Sequence, residues 1–277
     1  MKLFANQSGI KLRIRLGLLF LFTLTIGTYL WITAKDNNAN KLFGGATNQE
    51  STSSPFLYAN LGGMSVAIPS YFANYAEYDG GPGWGEVPVE EKPERNADSR
   101  LRAFGFDVRY PDMVGDSTSA LVLEKLKQTP SEKTWMSVTV TSGENYPGED
   151  SLDKWANGVL DTPNTMVPTD NYERLSDQAY GLDVYAPAGI DPNSGLPYRQ
   201  HRDAFDVLKQ RNEAGKVITV IRCSNRKVVA PPCNQFFSLE PKSHTNINVH
   251  YSRRLLEEWQ DIQNSVSQLI YSFGIEK

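Results

Sequence analysis

From Leu16 to Ala34 the chain is apolar or neutral for nineteen positions without a charge (LGLLFLFTLTIGTYLWITA). As a helix, at about 1.5 Å per residue, the run would reach roughly 28 Å, close to the hydrocarbon thickness of a bilayer. Lys2, Lys11, Arg13 and Arg15 precede it with no acidic residue among them. Basic flanks stay on the cytoplasmic side, so the N-terminus is expected inside and the 243 residues after Ala34 outside. Tyr29 and Trp31 fall near the outer end, where amphipathic rings favour the interface. A cleaved signal peptide is the competing account. It calls for a shorter core and a small-x-small site, whereas Ile32-Thr33-Ala34 carries a branched residue where a small one is wanted. The expectation is an uncleaved anchor over residues 16–34 behind a cytoplasmic basic tail, residues 1–15. In a bacterium this is a single-pass inner-membrane protein with its C-terminal part in the periplasm.

Beyond the anchor the pattern changes twice. Residues 35–54 (KDNNANKLFGGATNQESTSS) are small and polar, which predicts a flexible tether. From residue 55 onward short alternations take over. Leu57–Leu61 and Met64–Ile68 flank Gly62-Gly63, a two-residue hairpin signal. In Arg100–Tyr110, Phe104, Phe106, Val108 and Tyr110 recur at the period of a half-buried strand. Trp135–Thr141, Leu182–Tyr185, Ala204–Gln210, Lys216–Cys223, Phe236–Leu239 and Ile247–Tyr251 are further predicted strands. Three segments have helical spacing. Ser151 is a predicted N-cap for a helix that puts Leu152, Trp155, Ala156, Val159 and Leu160 on one face. Ser252 is predicted to open a long C-terminal helix striped by Leu255, Trp259, Ile262, Val266, Leu269 and Phe273. A shorter helix is expected over Ser119–Lys127. The sum is an α+β periplasmic domain over residues 55–277, mainly antiparallel sheet with a few packed helices, with room for two subdomains divided near residue 165.

Charge narrows the partners. The four basic residues before the anchor leave 24 basic against 32 acidic residues after it, a net charge of −8 for the exported part. That balance argues against nucleic acid. The two cysteines, Cys223 and Cys233, both lie in the exported part, and the turn-forming SNRKVVAPP between them predicts a disulfide across the loop. The spacing is neither that of a zinc knuckle nor C-x-x-C.

Between Asn74 and Ser99 the periodicity fails. Four glycines and three prolines exclude a regular element, yet Tyr75, Tyr78 and Trp84 stand among Asp79, Glu86 and other acids. Aromatic side chains on an acidic loop suit protein recognition, and Tyr75, Tyr78, Asp79, Trp84 and Glu86 are candidate partner contacts. The alternative is a long connection whose rings tuck back onto the core.

The sequence carries no complete catalytic motif of the common kinds. Gly62-Gly63-Met64-Ser65-Val66 lacks the closing glycine of a nucleophile elbow. His201, His244 and His250 stand in no metal-ligand spacing, and no glycine-rich loop leads into a helix as a phosphate cradle. The expectation is a binding protein and not an enzyme, without cofactor or metal.

Four stretches, LGGMSVAIPSYFANYAEYDG, RLRAFGFDVRYPDM, the cysteine pair and VHYSRRLLEEWQDIQNSVSQLIYSF, together resemble a family of membrane-anchored or exported bacterial proteins. These are the immunity proteins of type VI secretion lipase (phospholipase) effectors, and the resemblance runs over most of Leu61–Phe273. It implies a periplasm-facing inhibitor whose partner is a secreted lipase effector, and which needs a binding surface and no catalytic centre. Two other readings differ in kind. One is a membrane-anchored scaffold or assembly protein of a cell-envelope or secretion complex. The other is a periplasmic hydrolase, which requires a pocket gathering a histidine with an acid and Ser or Thr.

Overall fold

A computed structural model describes residues 54–81, 94–162 and 166–276. The expected anchor (16–34), nearly all of the tether, Trp84 and Glu86 lie outside the described residues. Among the described residues no helix is long and apolar enough to cross a membrane.

The described residues cluster as one compact unit. It opens with a hairpin, β1 (Phe56–Leu61) against β2 (Met64–Pro69). Gly62 and Gly63 turn it with φ of +58° and +101°, values at which a Cβ is strained and glycine is not. Alternation then buries Ala59, Leu61, Val66 and Ile68.

The remaining strands are β3 (Asn74–Tyr78), β4 (Leu101–Arg109), β5 (Val114–Gly115), β6 (Trp135–Thr141), β7 (Tyr172–Arg174), β8 (Asp183–Pro187), β9 (Phe205–Arg211), β10 (Val217–Ser224), β11 (Pro232–Ser238) and β12 (Asn246–Ser252). They form one antiparallel sheet in the order β3-β4-β6-β12-β11-β10-β9-β8-β7, with β5 beside β4. Strands from both sides of residue 165 share this sheet, so the sheet does not divide there.

Registers stack the apolar positions in rows. Phe104, Phe106 and Val108 of β4 stand opposite Val140, Val138 and Met136 of β6, and Val140 and Val138 stand opposite Ile247 and Val249 of β12. This face carries the main core. The hairpin packs into it together with the C-terminal helix, α3 (Trp259–Tyr271), through Trp259, Ile262, Val266 and Ile270. Phe273 closes the assembly beside Phe72 and Phe106, with ring centroids 5.5 and 6.4 Å away. After α3 the chain pairs with β2, Ala67 N donating to Phe273 O and Ile275 N to Ser65 O. On the opposite face α2 (Ser151–Leu160) buries Leu152, Ala156 and Leu160 against Val207, Val217 and Val220. A surface helix, α1 (Ser119–Lys127), buries no residue.

Four expectations need correction. The stretch 74–99, expected to hold no regular element, opens with strand β3, because its glycines and prolines begin only at Gly80. The N-cap of α2 is Asp150 and not Ser151, and no side chain caps it. Ser252 does accept a bond from Arg254 N, but it opens a 3-10 segment (Arg253–Glu258), and α3 begins only at Trp259. The strand expected over Phe236–Leu239 starts at Pro232, because residues 232–238 pair rung by rung with β12 and draw Cys233 into the sheet. Cys233 then lies directly opposite Cys223, and the two form a disulfide.

Candidate interaction surface

The expected contact residues part company in the structure. Tyr75 lies on edge strand β3 where the register to β4 shifts, with φ +55°, and its side chain is 78% exposed. Such a bulge re-aims a side chain. Tyr78 turns inward. Its hydroxyl donates to Tyr58 O at 3.1 Å and the Arg95 guanidinium lies 4.3 Å over its ring. Burial raises its pKa, with the Arg95 charge opposing. Asp79 is an internal tie. It pairs with Arg100 at 3.0 Å and accepts from Glu144 N at 3.0 Å. Of these three, Tyr75 alone presents its ring to solvent, and Phe56, Tyr58 and Tyr71 are also exposed on or beside the neighbouring hairpin.

A larger surface has no counterpart in the local sequence pattern. On the α2 side of the sheet, rows run Gly105-Thr139-Asn248-Phe236 and Asp107-Ser137-His250-Asn234-Arg222 across β4, β6, β12, β11 and β10. Helix α2 covers the β10 end, where Trp155 packs on Phe236 at 6.3 Å. Helix α1 flanks the β4 end, tied down by polar contacts. Lys125 reaches Asp107 at 2.8 Å and also Asp116, Arg109 reaches Glu124 at 2.6 Å, and Trp135 Nε1 donates to Glu124. Leu123 and Leu126 of α1 are left exposed. Ser137, Thr139 and His250 between the helices are exposed as well.

This floor is made of hydroxyls and amides, and it is not saturated. Asn246 Oδ1, Asn248 Oδ1 and Arg222 Nε are buried without a hydrogen-bond partner. Where α1 ends, a cavity of about 120 Å³ is lined by Asp107, Lys125, Gln128, Lys133, Trp135 and Ser137. Although the residue as a whole is open to solvent, the packing that partly desolvates its ring, together with the Lys133 charge, holds the His250 imidazole below the usual histidine range.

At another end of the molecule three turns meet around a cleft of about 310 Å³, lined by Asn60, Gly62, Gly63, Arg100, Gly143, Tyr146 and His244. His244 N donates to Gly62 O at 2.9 Å. Glu240 Oε1 accepts from the Tyr146 hydroxyl and lies 2.7 Å from His244 Nδ1. The Glu149 carboxylate joins them, so that Glu149, Glu240 and His244 bring their ligand atoms within 4.8 Å of one another. Ser243 turns its hydroxyl into the core, bonded to Leu61 O at 2.7 Å and to Thr245, so it is not presented to the His244–Glu240 pair. His201 caps its own turn by accepting from Asp203 N, and His250 faces Asn234 across the strands.

In sequence the signals for these features are faint. Glu240 and His244 are four residues apart, a spacing that carries weight only once a turn is known to hold them.

No family model matches the chain, and no curated protein matches it in sequence. Among solved structures it is similar to an immunity protein of the Stenotrophomonas maltophilia type IV secretion system. That similarity has a TM-score of 0.48 at 14% identity, covering 80% of this chain and 94% of the other. At that score and identity the likeness says nothing of function.

Proposed function

We propose that the chain is a membrane-anchored, periplasm-facing immunity protein that binds a type VI secretion lipase effector and neutralises it. The observation that carries the binding role is the open sheet face between α1 and α2, floored by exposed Ser137, Thr139 and His250. A floor of exposed hydroxyls and an imidazole, flanked by two helices, suits a polar protein surface. Two further supports are the charge-free run at 16–34 behind basic residues and the Cys223–Cys233 disulfide, which fits an oxidising compartment. The lipase class rests on the family resemblance alone.

A stoichiometric inhibitor needs a tight interface with a few central anchors inside a polar rim. Tyr75 beside the hairpin and Leu123 and Leu126 on α1 are exposed apolar groups that suit such anchors.

The test is calorimetry between the purified chain and a lipase encoded beside it, with phospholipase activity read in parallel. Nanomolar binding with loss of activity is the expected result. Absence of binding removes the immunity reading for that pair and brings the scaffold reading forward.

A further inference from the structure

We propose that Glu149, Glu240 and His244 form a binding site for one divalent transition-metal ion, with zinc as the ion they match best. The site lies where three turns converge: the hairpin turn at 62–63, the segment 143–150 ahead of α2, and the β11–β12 connection at 239–245. Spacing along the chain pointed to no metal at any histidine, because two of the three donors come from one turn and the third from a segment some ninety residues earlier.

The geometry is close to what a metal requires. The three ligand atoms lie within 4.8 Å of one another. Zinc bonds of about 2.0–2.2 Å to nitrogen and oxygen place tetrahedral neighbours roughly 3.4 Å apart, so side-chain rotation of an ångström or so completes the set. Glu149 and His244 are exposed and can turn, Glu240 is half-buried and held by Tyr146, and the 2.7 Å bond between His244 Nδ1 and Glu240 Oε1 must open to admit the ion. One imidazole with two carboxylates is a donor set that zinc accepts, and the nitrogen disfavours calcium and magnesium, which take oxygen.

The surroundings favour a cation. Two carboxylates, Glu149 and Glu240, stand beside the His244 imidazole. The adjoining cleft offers an approach from solvent and room for a water or partner group at an open coordination position. Binding would tie the segment before α2 to the β11–β12 turn and so rigidify this end of the domain.

The experiment uses the purified full-length chain, stripped with a chelator and titrated with zinc chloride by calorimetry, with calcium and magnesium chloride as controls. One zinc per chain is expected at micromolar affinity or better, with at least tenfold weaker binding in His244→Ala and in Glu149→Gln. His201→Ala is expected to bind as the parent does. Glu149→Gln guards against misfolding, since Glu149 is exposed, and circular dichroism on each variant confirms the fold. No saturable zinc binding by the parent, or equal binding by His244→Ala and Glu149→Gln, overturns the proposal.

Discussion

Cys223 on β10 and Cys233 on β11 stand directly opposite each other, with Cα atoms 4.1 Å apart and both side chains fully buried. The disulfide is therefore a rung across two central strands, where it closes a short segment. Chain-entropy arithmetic for a loop of about ten residues gives about 3 kcal/mol. Reduction, or the double change to alanine, is expected to lower the unfolding free energy by that amount, read as a lower urea midpoint at unchanged slope. An unchanged midpoint in reductant would refute it.

Gly62 and Gly158 should respond in opposite directions to alanine. At Gly62, φ is +58° and an added Cβ would meet His244 O at 2.5 Å and His244 N at 2.8 Å, both backbone atoms that cannot yield cheaply. Left-handed strain of about 1–2 kcal/mol plus the clash predicts a loss of at least 2 kcal/mol for Gly62→Ala. Gly158 lies inside α2 with open space around its Cα, so Gly158→Ala should gain about 0.5–1 kcal/mol. Thermal unfolding of the two variants checks both signs.

Asp206 is 1% exposed yet charged. Burial alone would raise its pKa, but Arg199, Asn225 and Arg253 donate to it and hold the carboxyl below the usual range. A carboxyl depressed in the folded state stabilises above its unfolded pKa of about 3.9, and that contribution is lost as pH falls through the folded value. Asp206→Ala leaves the guanidinium groups of Arg199 and Arg253 without their carboxylate, for an expected cost of about 3–5 kcal/mol near neutral pH. The stability gap between the parent and Asp206→Asn should narrow as pH drops below 4. A gap independent of pH between 2 and 6 would contradict this account.

Thr139 and Ser137 test the open face. Both are exposed, so Thr139→Arg and Ser137→Arg should leave stability within about 0.5 kcal/mol. If the face receives the effector, either change should weaken effector binding at least tenfold by calorimetry. Unaltered binding by both, with the parent binding normally, would move the contact elsewhere, and Tyr75→Ala would then be the informative variant.

Several elements were legible along the chain because their signals are local. The Gly62-Gly63 turn, the alternation through Phe104, Phe106 and Val108, and the stripe Trp259–Ile262–Val266 each specify an element from a few neighbouring residues. Boundaries were less legible where pairing decided them. Residues 232–235 show weak alternation, and only registry with β12 makes them a strand. The expected contact loop shows the limit most clearly. Tyr75 and Tyr78 share chemistry and differ by three positions, yet one ring faces solvent while the other bonds to the hairpin.

The sequence by itself determined the α+β class, the approximate elements and the candidate disulfide, because periodicity, turn chemistry and cysteine count act over short range. It also carried the expectations of an anchor and of a lipase partner. Tertiary structure alone decided which face of the sheet stayed open, that Asn246 and Asn248 would hold unpaired acceptors there, and that Glu149 would meet Glu240 and His244. Those features depend on strand order and on where helices land, which are set by contacts between residues far apart in the chain and leave no local pattern behind.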